Sequence, residues 1–165
     1  GIEICEDLWA PLPPSTLHCL NGATLILNPS ASNDLTSKSD YRRLLVTSHS
    51  ARLICGYAYC NAGLGESSTD VVFSNHHLIA ENGSLLAQSQ QYSEGIIFVD
   101  MDMEKIVSER VEMTTYDNRQ DHYQIIPFTL QDEDIELTRT YDPHPFVPSN
   151  KDQRVRKFLI FKFMV

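Results

Sequence analysis

Positive charge is scarce in this chain: 13 Lys and Arg stand against 22 Asp and Glu, a formal net charge of −9. That balance, with a pI near 5.0, argues against nucleic acid or an anionic membrane as the main partner. No run approaches the ~18 apolar residues of a membrane-spanning helix. The four cysteines (Cys5, Cys19, Cys55, Cys60) include no C-x-x-C pair and have no zinc-like His spacing, which excludes the common zinc motifs. They suit reduced thiols in a cytoplasmic protein better than a disulfide framework. No internal repeat or low-complexity tract is present. What remains is an ordinary soluble composition, 42% hydrophobic and 21% charged over 165 residues, enough for one domain with a real core.

The stretch Gly1-Ile2-Glu3-Ile4-Cys5-Glu6-Asp7-Leu8-Trp9 organises the rest. Ile2 and Ile4 alternate with Glu3 and Cys5, the period of a strand with two different faces. Two carboxylates and an aromatic follow, and then a Pro-rich run, 10–14, which stops any strand. A thiol at the carboxyl end of a strand is where an open α/β sheet places reactive groups. A chain opening on the strand of its best candidate nucleophile is expected to continue upstream in a parent protein.

Downstream, residues 15–21 predict a short helix stopped at Asn21-Gly22, and 23–28 a nearly all-apolar strand ended by Pro29. About seventeen residues separate the two strands, the length of a βαβ crossover. Residues 38–55 form the strongest helical pattern, with Tyr41, Leu44, Leu45, Ser48, Ala51, Arg52 and Cys55 at 3–4 spacing and Gly56 as its stop. Strands are expected at 57–61, 70–74, 77–81, 85–90 and 95–102, with a turn at Asn75-His76 and an Asn82-Gly83 hairpin. A short helix is expected at 103–111. Beyond Glu112 the pattern loosens into an extended, acidic and Pro-containing connector. Residues 154–165, as a helix, would be apolar almost all round. The favoured reading is a truncated or altered end whose packing partner is missing; a basic amphipathic membrane anchor is the other.

Several side chains are candidates for chemistry. A thiol attacks as thiolate and needs a base or positive charge nearby, while Glu3, Glu6 and Asp7 are its neighbours in sequence. From spacing alone, Cys5 is open to either reading, nucleophile or buried structural thiol. Ser32, Asn33 and Lys38 lie on the loop after the second strand, which a βαβ unit turns toward Cys5. There they would suit a carboxylate-bearing substrate, and composition alone equally describes an ordinary polar loop. His76-His77 reads as a polar turn rather than a metal site, and Cys55 and Cys60 as core thiols.

The ordered set of segments points further. Gly1 to Trp9 resembles the nucleophile segment of the carbon–nitrogen hydrolase (nitrilase) superfamily, and within it the glutaminase domains of glutamine-dependent NAD+ synthetases. Asn28-Pro29-Ser30-Ala31-Ser32-Asn33, Asp40-Tyr41-Arg42-Arg43, Ser50-Ala51-Arg52, 63–70, 79–87 and His144-Pro145-Phe146-Val147-Pro148 follow in that family's order. The resemblance implies an α/β fold, a nitrilase-like αββα sandwich present here as an incomplete domain. It divides the chain into a C-terminal part of a glutaminase domain at 1–112, a linker at 113–150 toward a missing synthetase domain, and an atypical tail at 151–165.

The same resemblance implies a Glu–Lys–Cys triad in which Cys5 attacks the glutamine side-chain amide, forms a thioester and releases ammonia. Glu6 would receive the substrate's α-amino group, Trp9 would form an aromatic wall, and Ser32 and Lys38 would hold the amino-acid end. The family often has Arg at the position of Lys38, and Lys lacks the bidentate fork. No cofactor is implied for the glutaminase part; ATP and Mg would belong to the synthetase domain. Glutamine and that domain are the implied partners, in a homo-oligomeric parent, with no nucleic acid and no membrane. Only four residues precede Cys5, whereas the family's glutamate and lysine lie well upstream of the cysteine. The isolated chain is therefore expected to be inactive. The alternatives are a nitrilase-like amidase on another amide, or a non-catalytic interaction module.

Overall fold

The computed structural model describes residues 1–119, 123–124, 126–129, 137–141 and 147–156. They fall in two compact units, Gly1–Glu133 and Asp134–Val165. In the second, residues 151–156 are helical, and the Asn150 carboxamide oxygen accepts from the Asp152 N–H at 2.8 Å. The acidic 132–134, most of the Pro-containing 142–148 and the apolar part of the tail lie outside the described residues.

The first unit is mixed α/β. After a 3-10 turn at Cys5–Trp9 come α1 (Pro14–Leu20), β1 (Leu25–Ser30), α2 (Lys38–Leu53) and β2 (Gly56–Asn61). A second 3-10 turn, Leu64–Glu66, precedes β3 (Leu78–Glu81), β4 (Ser84–Gln88) and α3 (Met103–Glu112). The sheet runs β1-β2-β3-β4, with β1 and β2 parallel and the rest antiparallel. The βαβ crossover expected between the N-terminal stretch and 23–28, through α1, is reduced at its first strand to a single bridge, and the regular βαβ unit is β1-α2-β2. Residues 1–3 add to the free edge of β1 through Glu3 N–H to Leu27 O at 3.1 Å and Leu27 N–H to Gly1 O at 2.9 Å, but only as an isolated parallel bridge. Pro29 stays within β1 because that edge carries no further ladder.

Side-chain parity sorts the sheet into two faces. Ile26 and Asn28 of β1, Tyr57, Tyr59 and Asn61 of β2, and Leu78 and Ala80 of β3 are buried beneath the helices. The opposite face leaves Ile2 and Ile4 each 63% exposed, with Leu27, Pro29 and Cys60 also exposed. The alternation at the N-terminus is thus real, but its carboxylate points inward and its isoleucines outward. Glu3 is 2% exposed.

Helix α2 differs from its sequence pattern in orientation. The buried stripe is Arg42, Val46, His49, Ser50 and Leu53, whereas Tyr41, Leu44, Ser48, Ala51 and Arg52 face out. Polar residues occupy the inner face because each finds a partner there: His49 meets Ser15 at 2.7 Å, and Ser50 donates to Cys55 O at 2.6 Å. Ile54, at φ +45, ends the helix, so Gly56 is not its stop.

Gly56 instead permits a close approach. A Cβ there would stand 2.6 Å from Met101 Sδ and 3.1 Å from Leu25 Cδ1. Gly56→Ala is expected to lower stability by about 1–2 kcal/mol, since Met101 can move aside; a drop in the urea midpoint would measure it. Residues 95–102, expected as a strand, make none. Gly95, Ile96 and Ile97 border a cavity of about 220 Å³ with Ala58, Cys60 and Ile79, contributing side chains rather than ladder hydrogen bonds. Residues 70–74 likewise form no strand, and Ser74 is buried in a loop.

Candidate functional site

Cys5 sits at φ +50, in the left-handed region that non-glycine residues rarely occupy. Its surroundings hold it there. The Asp7 carboxylate accepts from Ile4 N–H at 2.7 Å, and Asp7 N–H donates to Ile4 O at 3.1 Å, closing a reciprocal turn around the cysteine. Leu8 anchors the turn in the core. From β1, the Asn28 side chain reaches across: its Oδ1 accepts from Cys5 N–H at 3.0 Å, and its Nδ2 faces Cys5 O at 3.4 Å.

A matching clamp holds the next loop. At the end of β2, Asn61 Oδ1 accepts from Ser32 N–H at 2.8 Å while its Nδ2 donates to Ser32 O at 3.0 Å. Each asparagine pairs with a loop residue much as a neighbouring strand would. Both lie at the carboxyl ends of the parallel strands, where an open sheet builds its sites.

The two clamps bring the loops together around a cavity of about 380 Å³, lined by Cys5, Glu6, Trp9, Ala31, Ser32, Asn33 and Lys38. Cys5, Glu6, Trp9, Ser32, Asn33 and Lys38, the binding and catalytic candidates from the sequence, therefore border one pocket. Lys38 opens α2; its Nζ donates to Asn33 Oδ1 at 2.5 Å and stands 5.5 Å over the Trp9 ring, which itself packs on Tyr41 at 5.3 Å. Burial, then the Arg42 cation, hold the Lys38 ammonium below its usual pKa.

Behind Ser32 lies a wholly buried guanidinium. Arg42 donates to Ser32 Oγ at 3.4 Å and to His76 Nδ1 at 2.9 Å, and stands 5.7 Å over the Tyr59 ring. No carboxylate among the described residues lies within ion-pair distance of it. His76 is correspondingly pushed down to about 4, by burial first and by Arg42 second. His76 is therefore a buried neutral acceptor, not part of a solvated turn. His77 Nδ1 accepts from Asn61 N–H at 3.1 Å. Among the described residues no cluster of three or more His, Cys, Asp or Glu could hold a metal ion.

The sequence profile of the family described as carbon-nitrogen hydrolase matches residues 1–110. The chain belongs to the carbon-nitrogen hydrolase family. It is similar to a glutamine-dependent NAD(+) synthetase of Mycobacterium tuberculosis, 41% identical over 160 residues, 90% of this chain and 24% of the relative. A human protein of the same name is 31% identical over 118 residues, 70% of this chain and 17% of the relative. The chain thus spans about a quarter or less of the length of these curated relatives. The solved structure of Saccharomyces cerevisiae Nit3, a member of branch 10 of the nitrilase superfamily, shares the fold. Its TM-score is 0.59 at 24% identity, covering 74% of this chain and 44% of that one. The first unit of this member of the carbon-nitrogen hydrolase family carries a helix-covered sheet of that fold.

Two residues that clamp the loops of the site escaped the sequence reading: Asn28 and Asn61. Asn28 carried a usable signal, as a polar residue ending an otherwise apolar strand. Of the remaining cysteines, Cys19 and Cys55 are buried together, and Cys19 with burial pushes the Cys55 thiol up. Cys60, expected in the core, is exposed because its β2 position falls on the open face. No helix among the described residues is long and apolar enough to cross a membrane.

Proposed function

We propose that this chain carries the nucleophile and the amino-acid-binding side of a glutamine amidohydrolase site, part of a glutamine-dependent NAD+ synthetase. The observation that supports it most is one pocket shared by a thiol in a left-handed turn, a carboxylate, and the Ser32–Lys38 group backed by Arg42. A free amino acid presents both charges, and a pocket for it needs groups of both signs. Glu6 would meet the ammonium, and Ser32 and Lys38 the carboxylate, with Trp9 as the wall.

In the reaction, Cys5 Sγ would attack the side-chain amide carbon, and the C–N bond would break as the nitrogen takes a proton and leaves as ammonia. Water would then hydrolyse the thioester, giving glutamate and the free thiol. A general base and a lysine at the oxyanion are still needed. Lys38 is already engaged by Asn33 and Trp9, and Glu6, the only carboxylate lining the pocket among the described residues, is assigned to the substrate. The 165-residue chain by itself is therefore proposed to turn glutamine over little or not at all. ATP, Mg and amidation of nicotinic acid adenine dinucleotide would belong to a synthetase domain of the parent, a cytoplasmic homo-oligomer.

Binding can be tested without turnover. Free glutamine is expected to slow alkylation of Cys5 by iodoacetamide, read by mass spectrometry, and to leave the exposed Cys60 unaffected. Equal protection by an uncharged amide such as propionamide would favour an amidase of another substrate. No protection by either would remove the pocket from the account.

A further inference from the structure

Beneath the nucleophile turn runs a buried polar chain that the reaction itself does not use. Glu3 lies inside the sheet–helix layer, and no cation among the described residues pairs with it. An unpaired buried carboxylate is costly unless its oxygens are satisfied. Here each oxygen has a donor: Oε2 accepts from Ser15 N–H at 2.9 Å, and Oε1 from the Tyr57 hydroxyl. Tyr57 Oη in turn accepts from Asn28 Nδ2 at 3.0 Å. Asn28 Oδ1 is thereby left facing Cys5 N–H, with Ser30 Oγ as a second donor at 2.9 Å.

The Tyr57 hydroxyl donates toward the Glu3 carboxylate. The same hydroxyl oxygen then accepts, and this orients the Asn28 amide with nitrogen toward Tyr57 and oxygen toward Cys5. We infer that Glu3 is a positioning residue: through Tyr57 and Asn28, its buried carboxylate fixes the left-handed turn that presents Cys5 to the pocket. Glu3 does not line the pocket that holds the thiol, so its role here is positioning rather than that of a base. The chain has an outer branch as well. Ser15 Oγ meets His49 Nε2 at 2.7 Å, and Arg52 donates to His49 Nδ1 at 3.2 Å, which leaves the proton on Nε2.

The catalytic value of this positioning rests on the glutaminase reading, but the positioning is measurable without substrate. In the unaltered chain, the Cys5 amide is expected to exchange with deuterium as slowly as the β1–β2 ladder amides. Exchange at the speed of an open loop would overturn the inference. Glu3→Gln can reverse the Tyr57 hydroxyl, and Tyr57→Phe removes the relay. Each should speed exchange at Cys5 roughly tenfold or more while the β3–β4 amides keep their protection. Exchange at Cys5 that changes no more than at β3–β4 would overturn it. If one variant fails to fold, the other decides, and the unaltered chain provides the third reading. Glutamine shielding of Cys5 fails or succeeds separately from these rates, so loss of either result identifies which claim has failed.

Discussion

Lowering the pH from 7 to 4 is expected to remove about 3 kcal/mol of folding stability through His76 alone. The imidazole titrates near 4 in the folded chain against the ordinary 6.5 of an unfolded one. Between those values the unfolded chain binds a proton that the folded chain does not, so stability falls as the pH drops. The physical causes are burial and the Arg42 guanidinium donating to Nδ1 at 2.9 Å. A proton there would remove an acceptor from Arg42 and place two cations in contact. Asp34 opposes this in part, while Arg43 and His77 add to it. His49 and His77 are also held below their usual values by burial, and they act in the same direction.

Carboxylates also lose stability in acid, so the measurement compares the parent with His76→Gln. Urea unfolding midpoints at pH 7 and pH 4 should diverge less in the variant. An equal acid-induced loss in both would remove His76 as the cause. For a domain whose whole stability is about 5–15 kcal/mol, the effect is large.

Gly83→Ala is expected to cost about 2–4 kcal/mol, from two separable sources. The first is conformational: Gly83 sits at φ +83 beside Asn82 at φ +44, the paired positive angles of the tight turn joining β3 to β4. The second is steric, because a Cβ at Gly83 would stand 2.8 Å from Ala51 Cβ and 3.5 Å from Ala51 Cα. That contact is with the body of α2, which cannot swing aside as Met101 can at Gly56. The turn is tied to α2 and its end as well, through Asn82 N–H to Cys55 O at 3.1 Å and Gly83 N–H to Ser50 Oγ at 3.3 Å.

Adding Ala51→Gly to Gly83→Ala separates the two terms. It relieves the clash but not the strained φ, and it adds a helix penalty of about 1 kcal/mol of its own. A double-mutant cycle in thermal or urea unfolding should therefore show favourable coupling between the two sites. Strict additivity would mean the turn moves away from α2 at no cost.

How much of this was legible beforehand depends on whether the governing contact is local. The period of α2, the apolar run of β1, the Asn82-Gly83 hairpin and α3 depend on neighbours in sequence, and these elements are present. Cys5, Ser32 and Lys38 also border one pocket, as the expected strand order suggested, although the asparagine clamps that hold Cys5 and Ser32 there were not foreseen. The inner face of α2 was not legible, because Arg42 and His49 are buried by partners on other elements: His76, Ser32 and Ser15. Glu3 misleads for the same reason. By composition it belongs at the surface, and only Tyr57 and Ser15, 54 and 12 residues away, make its burial tolerable. Residues 95–102 have strand-like composition, yet they make no ladder: 95–97 border a cavity beside Ala58 and Ile79, and Ile96 and Phe98 stay exposed.

The two asparagine clamps tie the pocket to the alignment of the strands. Asn28 stands opposite Tyr59, and Asn61 opposite Ser30. A slip of one residue in the β1–β2 pairing would turn one asparagine toward the open face and carry its loop with it. Cys5 and Ser32 would then no longer share a cavity, even if the sheet still formed. The spacing between thiol and binding groups is thus set by counting hydrogen bonds along two strands, not by the loops that carry them. Loop substitutions that spare the asparagines should shift the lining of the pocket while leaving its dimensions in place.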